Sequence, residues 1–361
     1  MNTVRARLEK IPGINLDDAP LSTRTTLHVG GRPEFTVFCA TEHSFIEAVK
    51  IVDEAGLNPL FLGGGSNLLI ADGDLPYVAI VLGFSEIHVR GNMVTASAGS
   101  VWDAVVDHAV NAGLGGIECL SGIPGSTGAV PVQNVGAYGV EVSDILTQVK
   151  LLDRRTQEVR WVPASDLELA YRHSRLKHQD QEIVLAAEFK LTRDGLSAPI
   201  RFGELSRVLG AEGMERFDAP RVRKEVLALR AAKGMLYNPD DHDSWSAGSF
   251  FTNPVVPVPL AEEIGAKVDS LMPMYPVAQE DQVKLSAAWL IEQAGFPKGY
   301  PMGTDSVVKA SLSTKHTLAL TNRGTAKAED IAALAREIRA GVQERFGVLL
   351  EPEPVLIGIE L

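Results

Sequence analysis

Two glycine-rich segments are the residues of this chain whose type and spacing first suggest chemistry. Gly63-Gly64-Gly65-Ser66-Asn67 follows the apolar run Pro59-Leu60-Phe61-Leu62. Glycines there permit φ > 0 and let successive backbone N–H groups face one anion, so a phosphate could sit on them. The pattern departs from GxGxxG, and no βαβ unit with a ribose-binding acid accompanies it, which argues against an ordinary Rossmann site. A tight turn without a ligand is the competing reading. The second segment runs from Gly115 to Val130 and continues through Gln133-Asn134-Val135-Gly136-Ala137-Tyr138-Gly139. Its centre, Ser121-Gly122-Ile123-Pro124-Gly125-Ser126-Thr127, offers approachable backbone, hydroxyls and little bulk. Such a stretch can wrap a flat ligand and its pyrophosphate without adding formal charge. A purely structural loop is the alternative, although loops of this length usually bind something.

Other chemistries find less support. The two cysteines, Cys39 and Cys119, stand in apolar surroundings without CxxC spacing and read as buried side chains. The eight histidines form no HExxH or clustered set, so no metal is implied. No GxSxG nucleophile elbow suggests serine hydrolysis.

The elements that must position these segments follow from periodicity. Glu34 to Phe38 reads as a strand, and Phe45, Ala48, Val49, Val52 and Ala55 share a helix face, with Ser44 as cap and Gly56 as stop. Short strands are expected at 59–62, 78–81, 87–90 and 93–97. Ser100 with Asp103 resembles a capping box for a helix carrying Val101, Val105 and Ala109. Strands resume at 147–152, 158–161 and 183–189, and a helix around Val222, Val226 and Leu229 leads to Lys233. Asn238 to Asp243 reads as a surface connection. The last third shows helical spacing at Leu285, Ala288, Trp289 and Glu292, a strand at 317–321, and a long amphipathic helix through Ile331, Leu334, Ala335, Ile338, Val342 and Phe346. The fold class expected from this order is α+β.

With 361 residues, 45% in the hydrophobic set and 22% charged, the chain can bury a substantial core in two or three domains. No run of about 18 apolar residues occurs, and the first ten residues lack the apolar stretch of a signal peptide, so the expectation is a cytoplasmic protein that does not use a membrane. Thirty-four Lys and Arg against 46 Asp and Glu give a formal charge of −12. That balance disfavours nonspecific nucleic-acid binding, and an anionic substrate must meet a local basic pocket.

The two glycine segments, in this order, followed by Tyr171-Arg172-His173-Ser174, Ala247-Gly248-Ser249-Phe250-Phe251-Thr252-Asn253-Pro254 and Leu350-Glu351-Pro352-Glu353, resemble the UDP-N-acetylenolpyruvoylglucosamine reductase family over nearly the whole chain. The size of the last domain and the segment between Asn253 and Lys284 look like the longer of its two subtypes. The resemblance implies a bipartite FAD-binding fold of the vanillyl-alcohol-oxidase-like type with a C-terminal α+β substrate-binding domain. On that pattern 1–76 is an N-terminal FAD-binding subdomain, 77–228 the larger FAD-binding domain, 229–349 the substrate-binding domain, and 350–361 a terminal strand segment carrying Glu353. It further implies non-covalent FAD, NADPH as hydride donor, UDP-N-acetylglucosamine enolpyruvate as substrate, and a monomer.

Residue roles also come from the resemblance. Arg172, Ser249 and Glu353 fall at the reacting centre, Tyr171, Lys233, Asn253 and His316 at the substrate, and Gly63 to Asn67 with Ser121 to Thr127 at the flavin. Their chemistry suits these roles. An arginine holds two carboxylate oxygens without being consumed as an acid, the prolines around Glu353 can fix the direction of its carboxyl, and a serine can protonate carbon only if it is held close to it. Read without the resemblance, Arg172 is a surface or salt-bridge arginine, Glu353 an exposed acid, and Ser249 the cap of a bend. In the longer subtype a loop tyrosine reaches the substrate phosphates. Here its position is Phe202, which has no O–H to donate, so Lys233, Arg201 or another donor must serve. An alcohol or sugar oxidase on a related flavin scaffold, and a non-enzymatic nucleotide-binding regulator, remain open on the residues alone.

Overall fold

The computed structural model describes residues 2–201, 203–277, 279–301 and 308–361. Its helices and strands form the expected α+β mixture, gathered into two compact units. One takes the chain up to Ala19 together with Arg32–Gly65 and Pro76–Ala232. The other takes Pro20–Gly31, Ser66–Leu75 and Lys233–Leu361.

In the first unit a four-stranded sheet has the order Ile14–Asp17, Arg32–Cys39, Asp74–Leu82, Pro59–Leu62. The helix Glu42–Glu54 buries Phe45, Ala48, Val49 and Val52, an i, i+3, i+4, i+7 stripe, in one cluster with Phe35, Val37, Val78 and Ile80. This helix begins earlier than a Ser44 cap would allow. Thr41 is the N-cap, its hydroxyl accepts from the Ser44 N–H at 3.0 Å, and Ser44 Oγ accepts from the Thr41 N–H at 3.1 Å. Ser44 is thus the third residue of a reciprocal box, and Ala55 lies past the buried stripe, exposed. Gly56 ends the helix at φ +64°.

A second, antiparallel sheet has the order Glu158–Pro163, Leu146–Asp153, Glu182–Lys190, Met93–Ser97, Ile87–Arg90. Trp102, at the start of the helix Trp102–Asn111, meets Phe189 of this sheet edge-on at 5.4 Å. Val222 and Val226 of the helix Ala219–Ala232 join the same cluster. Ser100 and Asp103 do not form the expected capping box. Val101 is the N-cap without a side-chain bond, the Ser100 hydroxyl donates to the Glu86 carbonyl at 3.2 Å, and Asp103 is taken by stronger, charge-assisted partners. Both cysteines are buried, and burial pushes the Cys39 thiol up to about 12.

The second unit is built on the helix Ala328–Phe346, where Ile331, Leu334, Ala335, Ile338, Val342 and Phe346 are all buried. At about 1.5–3 kcal/mol for each fully buried large side chain, this stripe outweighs the cost of nucleating the helix. Gly347 closes it at φ +71°. Around it lie a three-stranded sheet (Val255–Pro257, Gln282–Leu285, Met274–Pro276), the antiparallel pair Ala310–Leu312 and Leu320–Asn322, and the parallel pair Leu68–Ile70 and Val355–Ile357. Leu285 ends a strand and does not open the next helix. Ser286 caps Ala287–Gln293 by accepting from the Trp289 N–H at 3.3 Å. The strand expected at 317–321 is confined to its end, because 313–319 form a turn. Asn238 to Asp240 are exposed as a surface connection should be, but Asp243 is buried and bonded to Thr314 and Arg323. Among the described residues no helix is long and apolar enough to cross a membrane.

Candidate functional site

The first unit brings the two glycine segments into backbone contact. A Cβ at Gly63 would overlap Ser126 Oγ, and one at Gly64 would come within 2.7 Å of Gly125 Cα. At Gly64 the obstacle is backbone, so only glycine fits there, whereas at Gly63 the Ser126 hydroxyl would have to turn away; Gly65, Gly122 and Gly125 take φ of +61°, +67° and +113°. The result is a cradle of bare backbone, which is what close approach of a pyrophosphate requires.

Charged side chains that sequence reasoning missed hold this cradle. Asp103 accepts from the Gly122 N–H at 2.6 Å and takes Arg223 in a bidentate pair at 2.6 and 2.9 Å. Burial works to raise the Asp103 pKa, but Arg223 and Gly122 outweigh it and hold the carboxyl below its usual range. Arg230, buried, donates from Nε to the Gly122 carbonyl at 3.1 Å. Glu118, fully buried, accepts from the N–H groups of Gly116 (2.7 Å) and Ala198 (2.8 Å), and burial raises its pKa against those donors. One signal was present: Arg230 continues the buried register Val222, Val226, where a charge calls for a specific partner. The Ser121 and Thr127 hydroxyls donate to the carbonyls of Glu118 (2.6 Å) and Ser100 (3.1 Å). Their N–H groups donate to the same two carbonyls, at 3.1 and 2.8 Å, so these two residues shape the loop.

Arg172 sits at the tip of a two-residue reversal closed by mutual Ala170 and His173 hydrogen bonds of 3.1 and 3.0 Å. It adopts φ +52°, uncommon for a side chain of this size. Its guanidinium donates to the Gly136 carbonyl at 2.8 Å and lies over the Tyr171 ring at 5.1 Å. This keeps a half-buried cation oriented.

In the second unit, Ser249, His316 and Glu353 are brought together by backbone pairing. The Phe250 N–H donates to the Leu318 carbonyl at 2.7 Å, and the Glu353 N–H donates to the Phe250 carbonyl at 2.8 Å. The residue after Ser249 is thereby tied both to the turn bearing His316 and to the segment bearing Glu353. Ser249 Oγ lies 3.3 Å from His316 Nε2. Asn67 Nδ2 donates to the Glu353 carbonyl at 3.3 Å, so Ser66 and Asn67 belong to this unit while Gly63 to Gly65 belong to the other. Asn253 Oδ1 accepts from the Ala287 N–H at 2.9 Å, which commits its acceptor and not its donors. Lys233 is half-buried at the start of this unit, Arg201 is exposed in the first, and Phe202 lies outside the described residues.

Comparison with known proteins shows the family. The family model of an FAD binding domain matches residues 33–162, and that of the UDP-N-acetylenolpyruvoylglucosamine reductase C-terminal domain matches residues 239–357. UDP-N-acetylenolpyruvoylglucosamine reductase 2 of Corynebacterium glutamicum is 54% identical over 367 residues, covering 100% of this chain and 99% of the relative. The reductase of Mycobacterium tuberculosis is 51% identical over 354 residues, covering 95% of each. The crystal structure of the Thermus caldophilus reductase superposes with a TM-score of 0.65 at 26% identity, over 95% of this chain and 99% of that one. A bipartite FAD-binding fold followed by a C-terminal substrate domain, matched along its whole length, places the chain in the UDP-N-acetylenolpyruvoylglucosamine reductase family.

Proposed function

We infer that this chain reduces UDP-N-acetylglucosamine enolpyruvate to UDP-N-acetylmuramate, with NADPH and FAD, in the synthesis of peptidoglycan precursors. The observation that carries the residue-level reading is the backbone pairing that sets Ser249 and Glu353 on either side of Phe250. Bound FAD would supply the hydride-transfer chemistry that links NADPH to C3 of the enolpyruvyl group. Gly63, Gly64 and Gly65 with Ser121 to Thr127 are the residues that would hold it, and the Cβ-excluding cradle fits a pyrophosphate. Ser66 and Asn67 complete that set.

Negative charge develops at C2 and spreads into the adjoining carboxylate once C3 has gained its hydride. Arg172 holds that carboxylate as a fixed cation, and Glu353 works with it at the same group. Ser249 gives its hydroxyl proton to C2, which completes the lactyl ether. Tyr171, Lys233, Asn253 and His316 bind the sugar nucleotide. With phenylalanine at 202, its phosphates fall to Lys233, Arg201 or another donor. In domain terms, 1–76 and 77–228 serve the flavin, 229–349 serves the substrate, and 350–361 brings Glu353. We read the enzyme as a cytoplasmic monomer, a state that light scattering of the purified protein checks.

The direct test adds UDP-N-acetylglucosamine enolpyruvate and NADPH to the purified flavoprotein. One NADPH consumed per UDP-N-acetylmuramate formed is the expected result. Binding without turnover would refute the reading.

A further inference from the structure

We propose that His316 is the proton source behind Ser249: its Nε2–H faces Ser249 Oγ and replaces the proton that the serine gives up. The inference rests on the reading of Ser249 as the donor to C2. The 3.3 Å separation between Oγ and Nε2 does not by itself say which atom donates. The chemistry does. A serine that must aim its only proton at carbon cannot spend it on the imidazole, so the nitrogen facing it has to carry the hydrogen.

The surroundings are built to hold this pair. The turn bearing His316 is pinned by Ser313 Oγ, which accepts from the N–H groups of Lys315 (3.0 Å) and His316 (3.2 Å). It is closed by Ala319 N–H to His316 O at 3.1 Å and by Ser313 N–H to Ala319 O at 2.8 Å. The buried Asp243 carboxylate anchors it from below, accepting from the Thr314 N–H at 3.0 Å and from Arg323 at 2.9 Å. Ser249 is tied to the same turn through the 2.7 Å bond from Phe250 N–H to Leu318 O. A ligand-binding histidine needs none of this registry with Ser249. A proton relay needs it throughout, since transfer depends on a held donor-to-acceptor distance.

The step balances. The Oγ–H bond breaks as the C2–H bond forms, the Nε2–H bond breaks as a new Oγ–H bond forms, and a proton taken up by the imidazole from solvent restores the ring. During transfer the Nε2–H also stabilises the negative charge growing on Oγ.

Two measurements on the holoenzyme test this. In rapid mixing of NADPH-reduced enzyme with substrate, His316→Gln, which keeps an N–H but cannot relay a proton, should lower the limiting rate of flavin reoxidation roughly 100-fold, a loss at saturating substrate that a lost binding contact alone does not produce. In a Ser249→Ala background the same change should have no further effect. Additive losses in the double variant, or a raised half-saturation at an unchanged limiting rate, would leave His316 as a substrate contact only and overturn the proposal. Ser249→Ala with unimpaired reoxidation would instead overturn the reading of Ser249, and this proposal with it. Independently, ¹⁵N spectra of histidine-labelled holoenzyme should show His316, assigned by its loss in His316→Gln, protonated at Nε2 and shifted by Ser249→Ala. A bare Nε2 would refute the relay.

Discussion

Ser249 and Glu353 make different demands on their surroundings, and each demand gives a testable outcome. A serine hydroxyl is a poor acid in water, so its contribution rests on placement beside the carbon it protonates. Ser249→Ala is expected to slow substrate reduction roughly 10²- to 10⁴-fold while leaving flavin reduction by NADPH nearly intact, as read by flavin absorbance in separate rapid-mixing experiments. Equal slowing of both halves would remove Ser249 from proton donation. Glu353→Gln should also strike the second half first, because its backbone is already fixed through Phe250 and the change touches only the acid. Wild-type turnover in that variant would exclude it. How legible these residues were differs by kind. Ser249, Glu353 and Arg172 stand in recognisable local strings, whereas Asp103 and Glu118 work through residues 19 and 80 positions away. A pairing at that range leaves no periodic trace in the residues between.

At the scale of elements, the flavin cradle depends on two loops meeting and on the groups that hold them there. A methyl group at Gly64 would come within 2.7 Å of Gly125 Cα and 3.0 Å of its carbonyl carbon, so one backbone must move. Overpacking of this kind costs about 1–3 kcal/mol. Gly64→Ala is therefore expected to weaken FAD about 10- to 100-fold, measured by titrating flavin back into stripped protein, and unchanged affinity would place the cofactor elsewhere. The Asp103 clamp gives a pH signature. Because its carboxyl is held below the usual range in the folded protein, its stabilisation is present above the ordinary carboxylate pKa and is lost as pH falls through the depressed value. Asp103→Asn should cost about 1–2 kcal/mol at neutral pH, discounted because a third of the acid side chain faces solvent. The gap to wild type in thermal unfolding should close in strong acid, and a gap independent of pH would show that the charge is not what matters. Periodicity found nearly every long element because burial enforces it, as along Ala328–Phe346. It misplaced starts, taking Ser44 as the cap where Thr41 is, since a cap is decided by which hydroxyl reaches an N–H and spacing does not show that.

Over the whole molecule, chain order and structural membership part company. Pro20–Gly31 and Ser66–Leu75 belong to the unit otherwise made of Lys233–Leu361. Their attachment is specific: Gly31 N–H to Ala71 O at 2.7 Å, Ala71 N–H to Ile357 O at 2.8 Å, Asn322 Nδ2 to Leu27 O at 2.9 Å, and Ala328 N–H to Asp72 Oδ2 at 2.8 Å. Leu27, Val29 and Leu69 are buried in the same hydrophobic cluster as Ile338 and Phe346. Local patterns could reveal these pieces as a turn and a short strand, but not where they pack, because partners such as Asn322 and Ala328 lie 295 and 256 residues further on. A unit with its own core opens as a cooperative body, so hydrogen exchange should follow packing and not chain order. Ile338→Ala removes a fully buried side chain at the centre of that cluster, at a cost of about 2–5 kcal/mol. It should accelerate exchange in 27–31 and 68–71 together with 328–346, while the antiparallel strands Met93–Ser97 and Glu182–Lys190 stay protected. Acceleration that skipped 27–31 and 68–71, or that reached those strands equally, would mean that the two units do not unfold as separate bodies.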